Sequence, residues 1–421
     1  MSLILLRRVA GGVLLFLALP SAPAVAAAGF LAAAFVTASV PVLVLAGLLC
    51  GALAGGLLGR AAFALFGLGR RPALRASVFL TVGLGAAVAV LAAVTVLRPM
   101  PAPGAAPAPP GVRFWELPTG SRIAYVHAPA VGKPRPTPVI FLHGGPGTPG
   151  EGIPIGGREL AADGFEVYAY DQVGAGRSTR LRDVTGYTVA RHVADLEAIR
   201  RTLGAERIVL VGQSWGGSLT AQYLAAHGEH VARAVFTSPG ALWGREYSGA
   251  AVGEPWNRLS PAQQARLDRL NSQPRIVAAS LLLRINPGAA HALVGDREAD
   301  HWMHEVALQG KDSTSCAHAP ATTAHNNPQG FYGNQLTVKD FEQLPDPRPR
   351  LRALRVPSLV MRGECDFVKP AVTAEYARVL PDCESVTVAG AGHAISRAQP
   401  RRYTALLRAF LLGRPLPTGT G

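Results

Sequence analysis

RIVLVGQSWGGS, Arg207 to Ser218, runs from an apolar β-branched stretch through a glycine-flanked corner into a helix-like pattern. Gly212, Ser214 and Gly216 fit the GxSxG spacing of a nucleophile elbow, a strained turn between strand and helix that lifts one hydroxyl clear of its surroundings. A side chain at Gly212 or Gly216 would collide with backbone where the strand folds back onto the helix. The motif alone is a weak signal in a chain with 47 glycines. Context strengthens it: Ile208–Val211 reads as a buried strand and Leu219–Ala226 as a helix.

The stretches around the elbow alternate in the same way. VRFWEL and SRIAYV flank Pro118–Gly120 as an antiparallel hairpin, and Thr137–Leu142, Phe165–Tyr170 and Val231–Thr237 read as short strands. Thr188–Leu203 has helical spacing, with Val189, Val193, Leu196 and Ile199 on one face. Strands alternating with helices imply a mostly parallel sheet covered on both faces. From about Gly240 to Pro345 the alternation breaks into helical and irregular sequence, with SPAQQARL opening a helix and an irregular stretch at Ser313–Asn334. It resumes at Ser358–Arg362, Ala371–Leu380, Ser385–Ala389 and Arg401–Leu412. An insertion between two parts of one sheet reads as a helical cap over its carboxyl edge, where open α/β folds bind ligands.

A serine hydroxyl is a poor nucleophile near neutral pH, so it needs a base within reach and a third group to orient that base. With a GxSxG elbow the acid and then the histidine follow in chain order. Asp366, in GECD after the strand ending at Arg362, and His393, in AGAGH after the last strand, fill those places; Glu364 is the nearest alternative acid. Acyl transfer also needs donors aimed at a developing oxyanion. The amide of Trp215 is one candidate, and the HGGPG loop, His143–Gly147, supplies Gly145, or Gly144 in its place.

Taken together, HGGPG, DQVGAGRS (171–178), GQSWGG (212–217), GECD and GAGH resemble the proline iminopeptidase family of α/β hydrolases, serine aminopeptidases with a helical cap. The resemblance spans about Val112–Leu412. It implies Ser214, Asp366 and His393 as a catalytic triad, Trp215 and Gly145 as oxyanion donors, a short peptide or other small acyl substrate, and neither metal nor organic cofactor. Asp171 matches an aspartate of the family pattern and is read as structural. Relatives hold the substrate ammonium with cap carboxylates, and Glu305 in WMHE is the local match. A second acid is missing from His325–Gly333, HNNPQGFYG, which departs from the pattern. Cys316 and Cys365 are both expected at the top of the site, paired as a disulfide or left as free thiols. Cys383 is expected at the opposite sheet edge.

The rest of the chain differs in kind. Residues 1–100 contain no Asp, Glu or Lys, a membrane composition. Arg7 and Arg8 precede Val9–Ala28, which reads as a first transmembrane helix or as a signal peptide with Ala24–Ala26 as its cleavage site; Pro20 and Pro23 weaken a continuous helix. Further spans are expected at Phe30–Leu58 and Val78–Leu97, with Arg60, Arg70, Arg71 and Arg75 between them on the cytoplasmic side. Everything after Arg98 then faces outward. The net charge of +14 is dispersed arginine without a basic cluster interleaved with aromatics, which argues against nucleic acid. The expected organisation is a membrane region at 1–98, a Pro-rich linker at 99–111, hydrolase core at 112–239 and 346–412, cap at 240–345 and a tail at 413–421. The expected function is a membrane-anchored extracytoplasmic aminopeptidase. The alternatives are an ester hydrolase using the same machinery, or a membrane protein that binds a ligand without catalysis.

Overall fold

The computed structural model describes residues 3–104, 107–246, 258–316 and 326–418. Its elements in chain order are α1 (Leu3–Ala33), α2 (Val40–Leu65), α3 (Arg70–Val94), β1 (Arg113–Glu116), β2 (Arg122–Ala128), β3 (Val139–Leu142), α4 (Gly157–Ala162), β4 (Val167–Tyr170), α5 (Val189–Thr202), β5 (Ile208–Gln213), α6 (Trp215–His227) and β6 (Val231–Thr237). There follow α7 (Pro261–Asn271), α8 (Pro274–Ile285), α9 (Pro287–Leu293), α10 (Asp296–Gly310), α11 (Phe331–Phe341), α12 (Arg348–Ala353), β7 (Ser358–Gly363), α13 (Pro370–Val379), β8 (Cys383–Val388), α14 (Ile395–Ala398) and α15 (Pro400–Leu411). They form two compact units, residues 1–101 with 271–298, and residues 102–270 with 299–421.

The larger unit is built on one eight-stranded sheet in the order β1-β2-β4-β3-β5-β6-β7-β8. The β1–β2 hairpin and the β2–β4 pairing are antiparallel; β4, β3, β5, β6, β7 and β8 run parallel. Their central strands are apolar on both faces, as Val139, Leu210, Val235 and Leu359 show by being fully or almost fully buried, which is what helices on both sides of a parallel sheet require. The register aligns Leu142 with Gly212, Gly212 with Phe236, and Thr237 with Met361, so the turns leaving β3, β5 and β7 emerge at one edge. The turn leaving β8 joins them, because Gly363 pairs with Val388. This is the fold class that the alternating pattern implies.

In the smaller unit α1, α2 and α3 are each long and apolar enough to cross a membrane. Glycines four apart on α2 bring its backbone against both neighbours. A Cβ at Gly51 would lie 2.8 Å from the Ala22 carbonyl oxygen of α1, and one at Gly59 would lie 2.7 Å from Leu80 of α3. Outward side chains such as Leu53 (67% exposed) and Phe79 (78%) are large and apolar, as a lipid-facing surface demands. The span boundaries differ from those read off hydropathy. α1 runs unbroken through Pro20 and Pro23, with Ala22 and Ala26 buried around them, and it takes in Phe30–Ala33. The break falls at 34–39, because Pro41 near the start of α2 fits a helix opening and not a helix interior. Arg70, Arg71 and Arg75 lie in the opening turns of α3 and Arg60 within α2, so these arginines are helical and do not lie in a connecting loop. Residues 271–298, which the sequence groups with the cap, cluster with this unit: α8 packs on α1 and α9 on α2.

Candidate active site

Ser214 stands at the head of α6 with φ 55° and ψ −119°, a left-handed conformation that L side chains rarely adopt. Backbone bonds hold it there. Its N–H donates to the Thr237 carbonyl at 3.0 Å, and its own carbonyl accepts from Gly217 and Gly240, both at 2.9 Å. The flanking glycines are dictated by space: a Cβ at Gly212 would meet the Gly216 carbonyl oxygen at 2.3 Å, and one at Gly216 would meet that of Leu142 at 2.2 Å. The elbow thus packs its turn against the end of β3. The amide of Trp215 belongs to the first turn of α6, where N–H groups have no acceptor within the helix.

Asp366 and His393 leave β7 and β8 at the same edge. His393 Nδ1 lies 2.8 Å from Asp366 Oδ1, which also accepts the Val368 N–H at 3.0 Å. Burial pushes the Asp366 carboxyl up, but the His393 hydrogen bond and charge and the Val368 N–H outweigh it and hold the group below the ordinary value. It stays a carboxylate, the form that can stabilise an imidazolium. The Phe367 ring lies 4.2 Å from the imidazole, centroid to centroid. Glu364 is exposed and turned elsewhere, accepting the Gly390 N–H at 2.9 Å.

Ser214, His393, Gly144 and Gly145 line one cavity of about 910 Å³. Gly145 has φ 114°, and a Cβ on it would meet Thr148 Oγ1 at 2.5 Å, so the loop can turn this tightly only with glycine. The far wall comes from α10, whose His304, Ala307 and Leu308 recur at helical spacing and face inward, and from Lys311 just past its end. Glu305 is half-buried on α10 and is not among the lining residues, so the helix offers His304 to the cavity at that point. The lining acids are Glu151 and Asp171, which spacing did not single out for substrate. Glu151 pairs with Arg177 at 2.8 Å. Asp171 accepts the Arg177 N–H and the Asn327 side-chain amide, both at 2.9 Å, and burial, the largest influence, pushes its carboxyl up to about 6. Of the HNNPQGFYG stretch, His325 lies outside the described residues.

One residue that organises this site escaped the motif reading. Gln172 takes the Trp215 indole N–H on Oε1 at 2.9 Å, gives its side-chain amide to the His143 carbonyl at 2.9 Å, and donates its backbone N–H to His143 Nε2 at 2.9 Å. The last bond makes Nε2 an acceptor, so the proton of a neutral His143 sits on Nδ1, 2.9 Å from the Gly144 carbonyl oxygen. The elbow tryptophan and the glycine loop are thereby fixed to the same side chain. Only the position of Gln172, beside Asp171 in DQVGAGRS, hinted at this.

Cys316 and Cys365 are disulfide-bonded with Cα atoms 5.3 Å apart, whereas Cys50 and Cys383 are free. The free-thiol alternative for the first pair therefore falls. Among the described residues, no group of three or more His, Cys, Asp or Glu side chains is placed to hold a metal ion.

Residues 137–396 match the profile of a family described as alpha/beta hydrolase fold. The proline iminopeptidase of Heyndrickxia coagulans is 26% identical over 280 residues, covering 65% of this chain and 90% of that protein. That of Xylella fastidiosa (strain 9a5c) is 29% identical over 300 residues, covering 66% and 88%. Among solved structures, the proline iminopeptidase of Mycobacterium smegmatis aligns with a TM-score of 0.46 at 24% identity, covering 72% of this chain and 98% of that one.

Proposed function

This chain belongs to the α/β-hydrolase family, and from that premise we propose that it is a membrane-anchored, extracytoplasmic serine aminopeptidase that releases amino-terminal residues from short peptides. The observation that carries the reading is that His393, bonded to Asp366 at 2.8 Å, lines the same cavity as the elbow serine. In the mechanism, Ser214 Oγ attacks the scissile carbonyl while His393 takes its proton. The Trp215 and Gly145 amides stabilise the oxyanion. His393 then passes the proton to the departing amine, leaving an acyl-enzyme, and water cleaves this ester by the same steps in reverse. Asp366 holds the imidazole in the tautomer that keeps Nε2 open to the serine. The aminopeptidase label leans on the similarity to proline iminopeptidases.

Two features support the location. Arg7 and Arg8 at the start of α1, with Arg60, Arg70, Arg71 and Arg75 around the α2–α3 connection, favour a cytoplasmic side for those ends, and the 34–39 turn carries no charge. The end of α3 then faces outward with all that follows. The Cys316–Cys365 disulfide fits an oxidising compartment.

A second reading, hydrolysis of carboxylic esters, is favoured by the cavity acids. Glu151 and Asp171 are both engaged, by Arg177 and by Arg177 with Asn327, and Glu305 does not line the cavity, so the support for ammonium recognition is thin. The full-length chain in detergent, assayed on a prolyl arylamide and a short acyl ester, separates the two: turnover of the ester alone removes the aminopeptidase label. If a fluorophosphonate probe fails to label the folded wild type, both readings fall and a non-catalytic ligand-binding role takes their place.

A further inference from the structure

We infer that α8 and α9, an excursion of the hydrolase chain, form a membrane-interface element whose outward face seats at the headgroup–acyl boundary of a bilayer. The inference rests on the reading that α1–α3 cross a membrane.

The first observation is where this segment is fastened. Asn286, which caps α9, donates its side-chain amide to the Ala34 carbonyl at 2.9 Å, immediately after α1. Gly288 lies beside Ala38, just before α2: a Cβ on it would be 3.6 Å from that of Ala38. Arg275 gives Nη1 to the Val96 carbonyl at 2.8 Å, just past α3. In a chain that crosses three times, the end of α1, the start of α2 and the end of α3 share one side of the bilayer. All three attachments are to that side. The ties are also well made, because Glu298 receives Arg275 Nε at 2.6 Å and Nη2 at 2.9 Å, and Glu298 further accepts the Met100 N–H at 2.7 Å.

The second observation is what the segment shows outward. Ile276, Ala279 and Leu282 of α8 are buried, whereas Val277 and Leu281 are 44% and 43% exposed. Arg284 is exposed seven residues after Val277, on the same helical face. A water-facing helix would carry several charges there. This one carries two aliphatic side chains, the small hydroxyl of Ser280 and one arginine long enough to reach lipid phosphates, a composition suited to a helix lying in an interface. In the turn to which Asn286 is bonded, Phe35 and Val36 are 75% and 85% exposed. Large apolar side chains are thus exposed both in this turn and on α8.

The test places a single nitroxide label on the full-length chain in phosphatidylcholine–phosphatidylglycerol vesicles, in a Cys50→Ala, Cys383→Ser background that keeps the disulfide. Labels go at Val277→Cys and, separately, Leu281→Cys. Leu53→Cys serves as the reference on α2 and Val131→Cys as the reference on the hydrolase surface. Oxygen should relax the labels at 277 and 281 more than a water-soluble nickel complex does, at a depth shallower than the label at 53. Nickel accessibility matching the label at 131 overturns the inference, and so does a label shielded from both reagents, which would mean coverage by protein or by a second copy. If the label at 53 contacts lipid while those at 277 and 281 contact water, this inference alone falls. If the label at 53 is itself in water, the membrane reading falls with it.

Discussion

His393 donates its backbone N–H to the Thr314 carbonyl at 2.8 Å, two residues before Cys316, whose disulfide partner Cys365 adjoins Asp366. The short segment at 314–316 therefore ties the His393 and Asp366 loops together. The approach is close: a Cβ on Gly392 would meet the Thr314 carbonyl oxygen at 2.3 Å. Replacing Cys316 by serine frees that segment. Since a displacement of about 1 Å in a catalytic group costs about 100-fold in rate, Cys316→Ser should lower kcat by about 10-fold to 100-fold and KM by far less. Steady-state kinetics of the oxidised wild type and the variant check this.

The two acids of the GECD turn should differ sharply. Asp366→Asn leaves the geometry but lets the imidazole take the wrong tautomer, and a loss in kcat of about 10,000-fold is expected. Glu364→Gln removes only an exposed partner of the Gly390 N–H and should stay within a few-fold of wild type. Equal losses at the two positions would contradict the assignment of the acid.

A pH effect follows from Glu197, which accepts from Arg200 and Arg201, both at 2.7 Å, and from the Tyr223 hydroxyl at 2.8 Å. Burial pushes its carboxyl up, but these donors bring it down from 4.5 to about 2. A folded pKa below the unfolded one stabilises the protein above the unfolded value and loses that contribution as pH falls through the folded value. The gap in Tm between wild type and Glu197→Gln should therefore be widest above about pH 5 and close as pH approaches about 2. Thermal unfolding of the full chain in detergent across this range measures it.

Close packing of α2 predicts a contrast between glycines. Gly51→Leu forces bulk against Ala22 and Ala26 and should destabilise the helical unit by about 1–3 kcal/mol, the usual cost of overpacking. Gly83 has nothing within 4 Å of an added Cβ, so Gly83→Leu should leave stability near wild type. Denaturant titration of both variants in the same detergent gives the comparison.

Much of the larger unit was legible because its signals are local. Apolar runs such as Ile208–Val211, short and β-branched, read as buried strands, and the turns after β5, β7 and β8 carry Ser214, Asp366 and His393, residue types whose chemistry stands out in the sequence. What stayed hidden depends on contacts distant in sequence. Gln172 looks like any polar loop residue until Trp215 and His143 are brought to it. PRIVAASLLLRI reads equally well as a cap helix or as a partner for α1, and hydropathy does not say which surface it covers. Glu305 and His304 adjoin on α10, and which of them meets the cavity depends on the rotation of that helix, fixed by contacts such as the Trp302 indole N–H to the Leu270 carbonyl at 3.0 Å.

The fastening of α8 and α9 bears on how this enzyme can be shortened. Cutting at the proline-rich stretch to discard residues 1–101 would strip Arg275 and Glu298 of the Val96 and Met100 backbone groups they bind, and would uncover the side of α8 that rests on α1. Such a fragment would carry a greasy flap with no seat and would be prone to clump. A well-behaved soluble version needs a second excision, of residues 271–298, closed by a short bridge between α7 and α10.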